Sequence, residues 1–178
     1  DGTAVKTPGD KVFPYIRDHV DQIITIPDTE LVEAFLDVME KHKMVVENSG
    51  LLSVAALRHL SCQGLNVVCV LSGGNMDVIT MASLVQHGLI MRGRIFTFSV
   101  QLPDRPGELL RVAQIVAEAN GNIIKLEHNQ FVNINRQNGV ELKVTLEAFG
   151  HDHKDRILEA LSQAGYQAHE VDTTDFYH

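Results

Sequence analysis

Ser72, Gly73, Gly74 and Asn75 stand together in the stretch VLSGGNMDV, where an apolar run gives way to a helical pattern. A hydroxyl beside two glycines at such a junction makes either a tight strand-to-helix turn or an anion cradle, because glycines let backbone N–H groups come close to a ligand at a helix N-terminus. Asp104, Arg105, Pro106 and Gly107 form a second candidate. Pro and Gly there let the backbone approach a ligand at the start of a helix whose free N–H groups and positive dipole end suit a carboxylate; the plain alternative is a good turn and nothing more. Asn122, at the head of the strand that follows, offers an amide able to take an amino or a carboxylate group. His151 and His153 have a two-residue spacing found in metal sites, but no third ligand is evident, so no metal site is assigned and a solvated helix cap is expected. Cys62 and Cys69 sit in apolar patterns rather than in a CxxC pair and read as buried, reduced thiols.

Two grammars position these residues. From Asp21 to Gly88 short apolar runs alternate with amphipathic helices, as in βαβ units around a parallel sheet. Strands are expected at 21–27, 44–47 and 66–71. Helices are expected from Pro27-Asp28-Thr29 onward, from Leu51 to Gln63, and from Asp77 to Gln86 with a stop at His87-Gly88. On the first of them Leu31, Ala34, Phe35, Val38 and Met39 share a face, while Glu30, Glu33 and Glu40 with Lys41 and Lys43 read as a wet one.

After Gly93 the period changes. Phe96, Phe98, Val100 and Leu102 alternate with Thr97, Ser99 and Gln101, as in a strand wet on one face. A helix opened by Pro106 and closed by Asn120-Gly121 follows, then a strand from Asn122 to about Phe131 and an Asn138-Gly139 hairpin signal. Val140, Leu142, Val144 and Leu146 mark a third strand; Ile157, Leu158 and Leu161 mark a helix ending at Gly165; residues 166–171 make a last strand. The order βαββαβ predicts a ferredoxin-like layer of two helices on a four-stranded antiparallel sheet.

The chain has 178 residues, with 15 Lys and Arg against 23 Asp and Glu for a formal net charge of −8, and no basic run. No nucleic-acid partner is expected from that balance. Its apolar runs fall well short of the ~20 residues that span a bilayer, so no membrane partner is expected and the cytoplasm is the expected location. The opening Asp1-Gly2-Thr3, without Met, reads as the middle of a loop and hence as part of something longer.

Over residues 94 to 172 the βαββαβ order and the string LPDRPGELLRVAQIVAEANGNI resemble the ACT domain, an amino-acid-sensing module of many metabolic enzymes. DGTAVKTPG, VVENSG and VLSGGNMDV, in that order, resemble the pyridoxal-phosphate lyases of fold type II, in particular the threonine dehydratase (threonine ammonia-lyase) family with one C-terminal ACT domain. The resemblance implies an α/β fold: a partial parallel-sheet, three-layer fragment of a fold type II domain over residues 1–93, followed by a ferredoxin-like ACT domain over residues 94–178. It implies pyridoxal 5'-phosphate as the parent enzyme's cofactor, with Gly2 against one face of the ring, Glu47 near its nitrogen edge, Ser72 with its hydroxyl on the pyridine nitrogen, and Gly73 and Gly74 letting the backbone pass.

The same resemblance implies an amino-acid effector, isoleucine first among candidates, held by Asp104, Arg105, Pro106 and Gly107 together with Asn122 and Ile123 across a homo-oligomer interface. The parent reaction it implies is conversion of L-threonine to 2-oxobutanoate and ammonia. In the family the lysine that bonds the cofactor and the phosphate cradle belong to motifs absent here, and Lys6 in AVKTPG is not in such a motif, so no catalytic residue is assigned and the chain alone is expected to be inactive. Gln130 and Phe149 stand where such ACT domains often carry a basic residue, so no effector contact is carried over to them. Two rival readings belong to binding rather than enzyme classes: a self-standing amino-acid sensor whose first domain is only a dimerisation scaffold, and an α/β domain that binds a nucleotide or phosphate on SGGN.

Overall fold

In a computed structural model the chain forms two compact units, Asp1–Gly88 and Leu89–His178, and the residues described are 3, 5–129 and 139–173. The expectations for Gly2, Gln130, Phe131 and Asn138 lie outside the described residues.

The first unit is helical. Helix α1 (Phe13–His19) precedes α2 (Asp28–His42), a helix with acids in its first turn and Lys41 and His42 in its last, matching the dipole. Leu31, Ala34, Phe35, Leu36 and Val38 are buried on α2, with Leu36 and Phe35 at 0% and 1% exposure. Burying side chains of this size contributes about 1.5–3 kcal/mol each. Val46, Leu51 and Ala55 close the same core. The acids expected to be a wet face are partly engaged instead: Glu33 pairs with Arg58 and Glu30 with His59 at 2.6 Å.

The expected helix from Leu51 to Gln63 is shorter and broken into a 3-10 turn (Asn48–Leu51), α3 (Leu52–Ala55) and a second 3-10 turn (Ala56–His59). Helix α4 (Val78–Met91) runs through Gly88 rather than stopping there. Gly88 is a packing glycine: a Cβ on it would lie 2.8 Å from Leu36 Cγ.

The three expected parallel strands are not assigned as strands. Among the described residues, 21–27, 44–47 and 66–71 form no ladder, and Val68 and Val70 are 88% and 71% exposed. An apolar run records what a segment can bury. It becomes a parallel strand only beside a partner strand and under cover on both faces, and no partner strand is supplied among the described residues of this unit.

The second unit has the expected order: β1 (Ile95–Leu102), α5 (Glu108–Glu118), β2 (Asn122–Asn129), β3 (Val140–Glu147), α6 (His151–Gln163) and β4 (Ala168–Val171). The strands make one sheet in the order β2-β3-β1-β4, and every pairing is antiparallel. Phe98 faces Val144 and Val100 faces Leu142, so the apolar residues of the two central strands share the face covered by α5 and α6. Val112 and Val116 from α5 and Ile157 and Leu161 from α6 complete the core.

The opposite face is less wet than alternation predicts. Ser99 is fully buried with its hydroxyl donating to Glu141 Oε1 at 2.6 Å, and the Thr97 and Thr145 hydroxyls meet at 2.9 Å. Short polar side chains on central strands lie below their longer neighbours and satisfy one another there. Pro106 belongs to the turn before α5, which opens after Gly107 in the left-handed region at φ 96°.

His153 is a correction of a different kind. Expected in a solvated cap, it is 3% exposed. Its Nδ1 accepts the Phe149 N–H at 3.0 Å, which leaves Nε2 to donate to the Ala119 carbonyl at 2.7 Å, and the Phe149 ring stacks on it at 4.8 Å. His151 remains exposed and bonds the Met91 carbonyl. Cys62 and Cys69 are free and half-buried, with Cys69 Sγ 3.4 Å from the Ser53 carbonyl.

Candidate functional site

In the first unit the structure brings Glu47 to the SGGN turn. The Glu47 N–H donates to the Gly73 carbonyl at 3.4 Å. Its carboxylate is divided between the two segments, Oε1 accepting from the Ser49 hydroxyl at 2.6 Å and Oε2 from the Asn75 N–H at 3.2 Å. Gly73, at φ 78°, lies under that side chain, and a Cβ there would meet Glu47 Cγ at 2.7 Å. Gly50 has the matching role from the other side, since its bare Cα faces the Ser72 carbonyl. Gly74 has open space around it, so of the two glycines in the turn only Gly73 is demanded by a close approach. Ser72 itself is exposed.

Beside this turn is a cavity of about 550 Å³ lined by Glu47, Asn48, Ser49, Asn75, Asp77 and Thr80. Of these six residues only Glu47 was singled out by sequence for binding; Asn75 and Asp77 were quoted only as part of the turn. Asp77 opens α4, with Oδ1 accepting the Thr80 N–H at 2.9 Å and Oδ2 the Thr80 hydroxyl at 2.5 Å. Those bonds, the hydroxyl's foremost, favour the ionised form and hold the carboxyl below its ordinary value of 3.8. A depressed folded-state pKa gives a contribution that is present above the unfolded value and lost as pH falls through the folded one. Asp77→Ala is therefore expected to fray the first turn of α4 at neutral pH. The native protein should fray in the same place only on acidification, and Asp77→Asn should keep the cap throughout; amide exchange at Thr80 and Met81 measures all three.

In the second unit Asp104, Arg105, Pro106 and Gly107 come together with Glu108 and His128 around a cavity of about 290 Å³. Nothing in the sequence pattern marked His128; it arrives because β2 runs back antiparallel past the N-terminus of α5. Asn122 and Ile123 are elsewhere. They start β2, beyond the far end of the 11-residue α5, about 16 Å away along the helix at ~1.5 Å per residue. Asn122 Nδ2 donates to Glu147 Oε2 at 2.8 Å, leaving its Oδ1 as an acceptor, and Ile123 packs on the core.

Tyr166 supports the loop end of this unit, its hydroxyl donating to Glu108 Oε2 at 2.8 Å. Burial, and then the bond to and charge of Glu108, push the phenol above 10.0. A raised folded-state value means a contribution fully present below the unfolded pKa and lost as pH rises through the folded one. The second unit is expected to lose stability in the alkaline range above about pH 10, and Tyr166→Phe should remove that limb of a melting-temperature profile.

Residues 1–73 match the family model described as pyridoxal-phosphate dependent enzyme. The chain is 38% identical over 168 residues to an L-threonine ammonia-lyase of Geobacter sulfurreducens, covering 93% of this chain and 42% of that protein. It is 33% identical over 168 residues to an L-threonine ammonia-lyase of Thermotoga maritima, covering 94% and 42%. Among solved structures it is similar to prephenate dehydratase from Streptococcus mutans over 43% of this chain and 40% of that one, at 19% identity and a TM-score of 0.37, a likeness from which no function follows. The chain thus spans about two fifths of the length of the curated relatives it matches. With homology extending over nearly all of its residues and through both compact units, the chain belongs to the threonine ammonia-lyase family of pyridoxal-phosphate-dependent enzymes.

Proposed function

We propose that the chain is the C-terminal part of a threonine ammonia-lyase. Residues 1–93 are the C-terminal portion of its catalytic domain, carrying the parallel-sheet segments of a fold type II enzyme. Residues 94–178 are its ACT regulatory domain, which senses an amino acid such as isoleucine in the cytoplasm. The observation that carries this reading is homology that runs through both units into an antiparallel βαββαβ sheet. The parent enzyme converts L-threonine to 2-oxobutanoate and ammonia.

The SGGN turn suits the nitrogen edge of a pyridine ring. Gly73 and Gly50 provide a cradle that side chains would fill, and the exposed Ser72 offers a neutral hydroxyl to that nitrogen. Pyridoxal phosphate, when bound, supplies the electron sink that acidifies the substrate Cα–H and lets the β-hydroxyl depart. Glu47, with both oxygens engaged, braces the turn that presents Ser72. Alone, the chain turns over no threonine, because none of its motifs supplies the cofactor's lysine or phosphate cradle.

Effector binding uses two copies. The 104–107 loop, at the positive end of α5, takes the carboxylate. Asn122 of a second chain takes the amino group, since the span of α5 keeps the two halves of the site apart within one. Binding is allosteric only where the effector's affinity differs between two states of the catalytic domain. Titration calorimetry with L-isoleucine tests the reading: saturable binding by a dimer is expected, weakened at least about tenfold, or ~1.4 kcal/mol, in Asn122→Ala. Equal binding by that variant would remove Asn122 from the site.

A further inference from the structure

Glu147 ends β3 directly opposite Asn122, the first residue of the edge strand β2, and both are exposed. The Asn122 amide donates from Nδ2 to Glu147 Oε2 at 2.8 Å. That bond decides which way the amide points. A carboxylate only accepts, so it takes the NH2 group and turns Asn122 Oδ1 outward as an acceptor. The amide is neutral, so it orients the carboxylate without cancelling its charge. Glu147 Oε1 and Asn122 Oδ1 are therefore two acceptors, one of them charged, held side by side at one end of the sheet.

The backbone is shaped around this pair. The register of β2 against β3 shifts between Ile123 and Lys125, which leaves Ile124 as an extra residue on β2. With a strict period of two, Asn122 and Lys125 would point to opposite faces. With the bulge, Asn122 lies opposite Glu147 and Lys125 opposite Thr145, on the face away from the helices, while Ile123 packs on the core. Bulges in edge strands re-aim side chains in this way and are over-represented beside sites. Lys125, next along that face of β2, pairs with Glu127 at 2.8 Å.

We propose that Asn122 and Glu147 form an ammonium receptor, and that Glu147 restricts the effector of the second unit to molecules with a free, protonated α-amino group. The inference rests on the sensor reading above, in which Asn122 alone meets the amino group, and supplies the countercharge which that reading lacks. An amide oxygen by itself discriminates little, because it accepts equally from a hydroxyl, an amine or water. A carboxylate adds a full negative charge that an ammonium offsets in a short, charge-assisted bond. A 2-oxo acid of the same carbon skeleton brings only a carbonyl oxygen, and three acceptors then face one another without a proton between them. The sensor would thus read amino acids and reject 2-oxo acids, the class to which the product of the proposed parent reaction belongs.

Titration calorimetry of the 178-residue chain tests this with the amino acid that stabilises it most and with the matching 2-oxo acid, 3-methyl-2-oxopentanoate in the case of L-isoleucine. Glu147→Gln is the informative variant, since it keeps an oxygen for Asn122, and with it the cross-strand bond, and removes only the charge. The unaltered chain is expected to prefer the amino acid by at least about tenfold, the least that a hydrogen bond to a charged group contributes. Glu147→Gln should lose about that factor for the amino acid, bind the 2-oxo acid no more weakly than before, and keep its melting temperature without ligand. Asp155→Asn, which removes the same charge from an exposed position on α6, should change none of these. Amino-acid binding that Glu147→Gln leaves intact would overturn the proposal while the sensor reading stands. Equal weakening of both ligands would also overturn it, since the pair would then only tie β2 to β3. Failure of the unaltered chain to bind any amino acid would overturn both.

Discussion

Gly50→Ala is expected to unseat the turn at Ser72 and to cost the first unit about 1–3 kcal/mol, the ordinary range for overpacking. The objection to alanine here is space. Gly50 is buried, and its added Cβ would lie 2.7 Å from the Ser72 carbonyl carbon and 2.8 Å from Val46 Cγ1, with the carbonyl oxygen closer still. A flexible side chain can turn aside from such a contact, but a backbone carbonyl moves only by taking its segment with it. The bonds from Glu47 N–H to Gly73 and from Asn75 N–H to Glu47 should open together. Urea unfolding gives the stability, and amide exchange at Glu47 and Asn75 shows where the loss is felt. Gly74→Ala is the control, since nothing lies within 4 Å of the Cβ it would add and its φ is not in the left-handed region. Equal behaviour of the two variants would mean that the Glu47 segment does not brace the turn.

His153→Leu is expected to destabilise the second unit by about 2–4 kcal/mol while nearly preserving volume. The imidazole ties the Phe149 N–H ahead of α6 to the Ala119 carbonyl after α5, and leucine leaves both groups without that partner. Each polar group so orphaned costs about 1–3 kcal/mol. For a unit of this size the melting temperature should fall by roughly 4–8 °C per kcal/mol. The change also reaches the proposed effector site, because Ala119 stands three residues before Asn122. His153→Gln, which can supply one donor and one acceptor, should recover part of the loss; recovery equal to that of leucine would show that volume and not hydrogen bonding matters at this position.

His153 also shows where the sequence was legible and where it misled. Two histidines around an aspartate at a helix start read as wet, yet His153, Ile157 and Leu161 fall at i, i+4 and i+8, so the period already placed His153 on the buried face. The second unit was readable because its cues are local and agree: period two in β1 and β3, period near 3.6 in α5 and α6, and glycine where the chain turns. In the first unit the apolar runs were found, but their partners were not part of the pattern. Strand pairing is a property of two segments, and Val68 looks the same in sequence whether covered or bare. The link from Glu47 to Asn75 spans 28 residues with no periodic signal; only the family resemblance brought both segments to one ring edge.

The central claim is that the second unit is a sensor of a free amino acid. The melting temperature of the chain should therefore be measured with each of the twenty amino acids in turn, over a range of concentrations. A ligand that binds the folded form stabilises it by RT ln(1 + [L]/Kd), about 2.7 kcal/mol at a hundredfold excess over Kd, and so raises the melting temperature. The account predicts a saturable rise with isoleucine or a close aliphatic relative, lost in Asn122→Ala. A flat response to all twenty would contradict it and leave the βαββαβ unit as an assembly module alone.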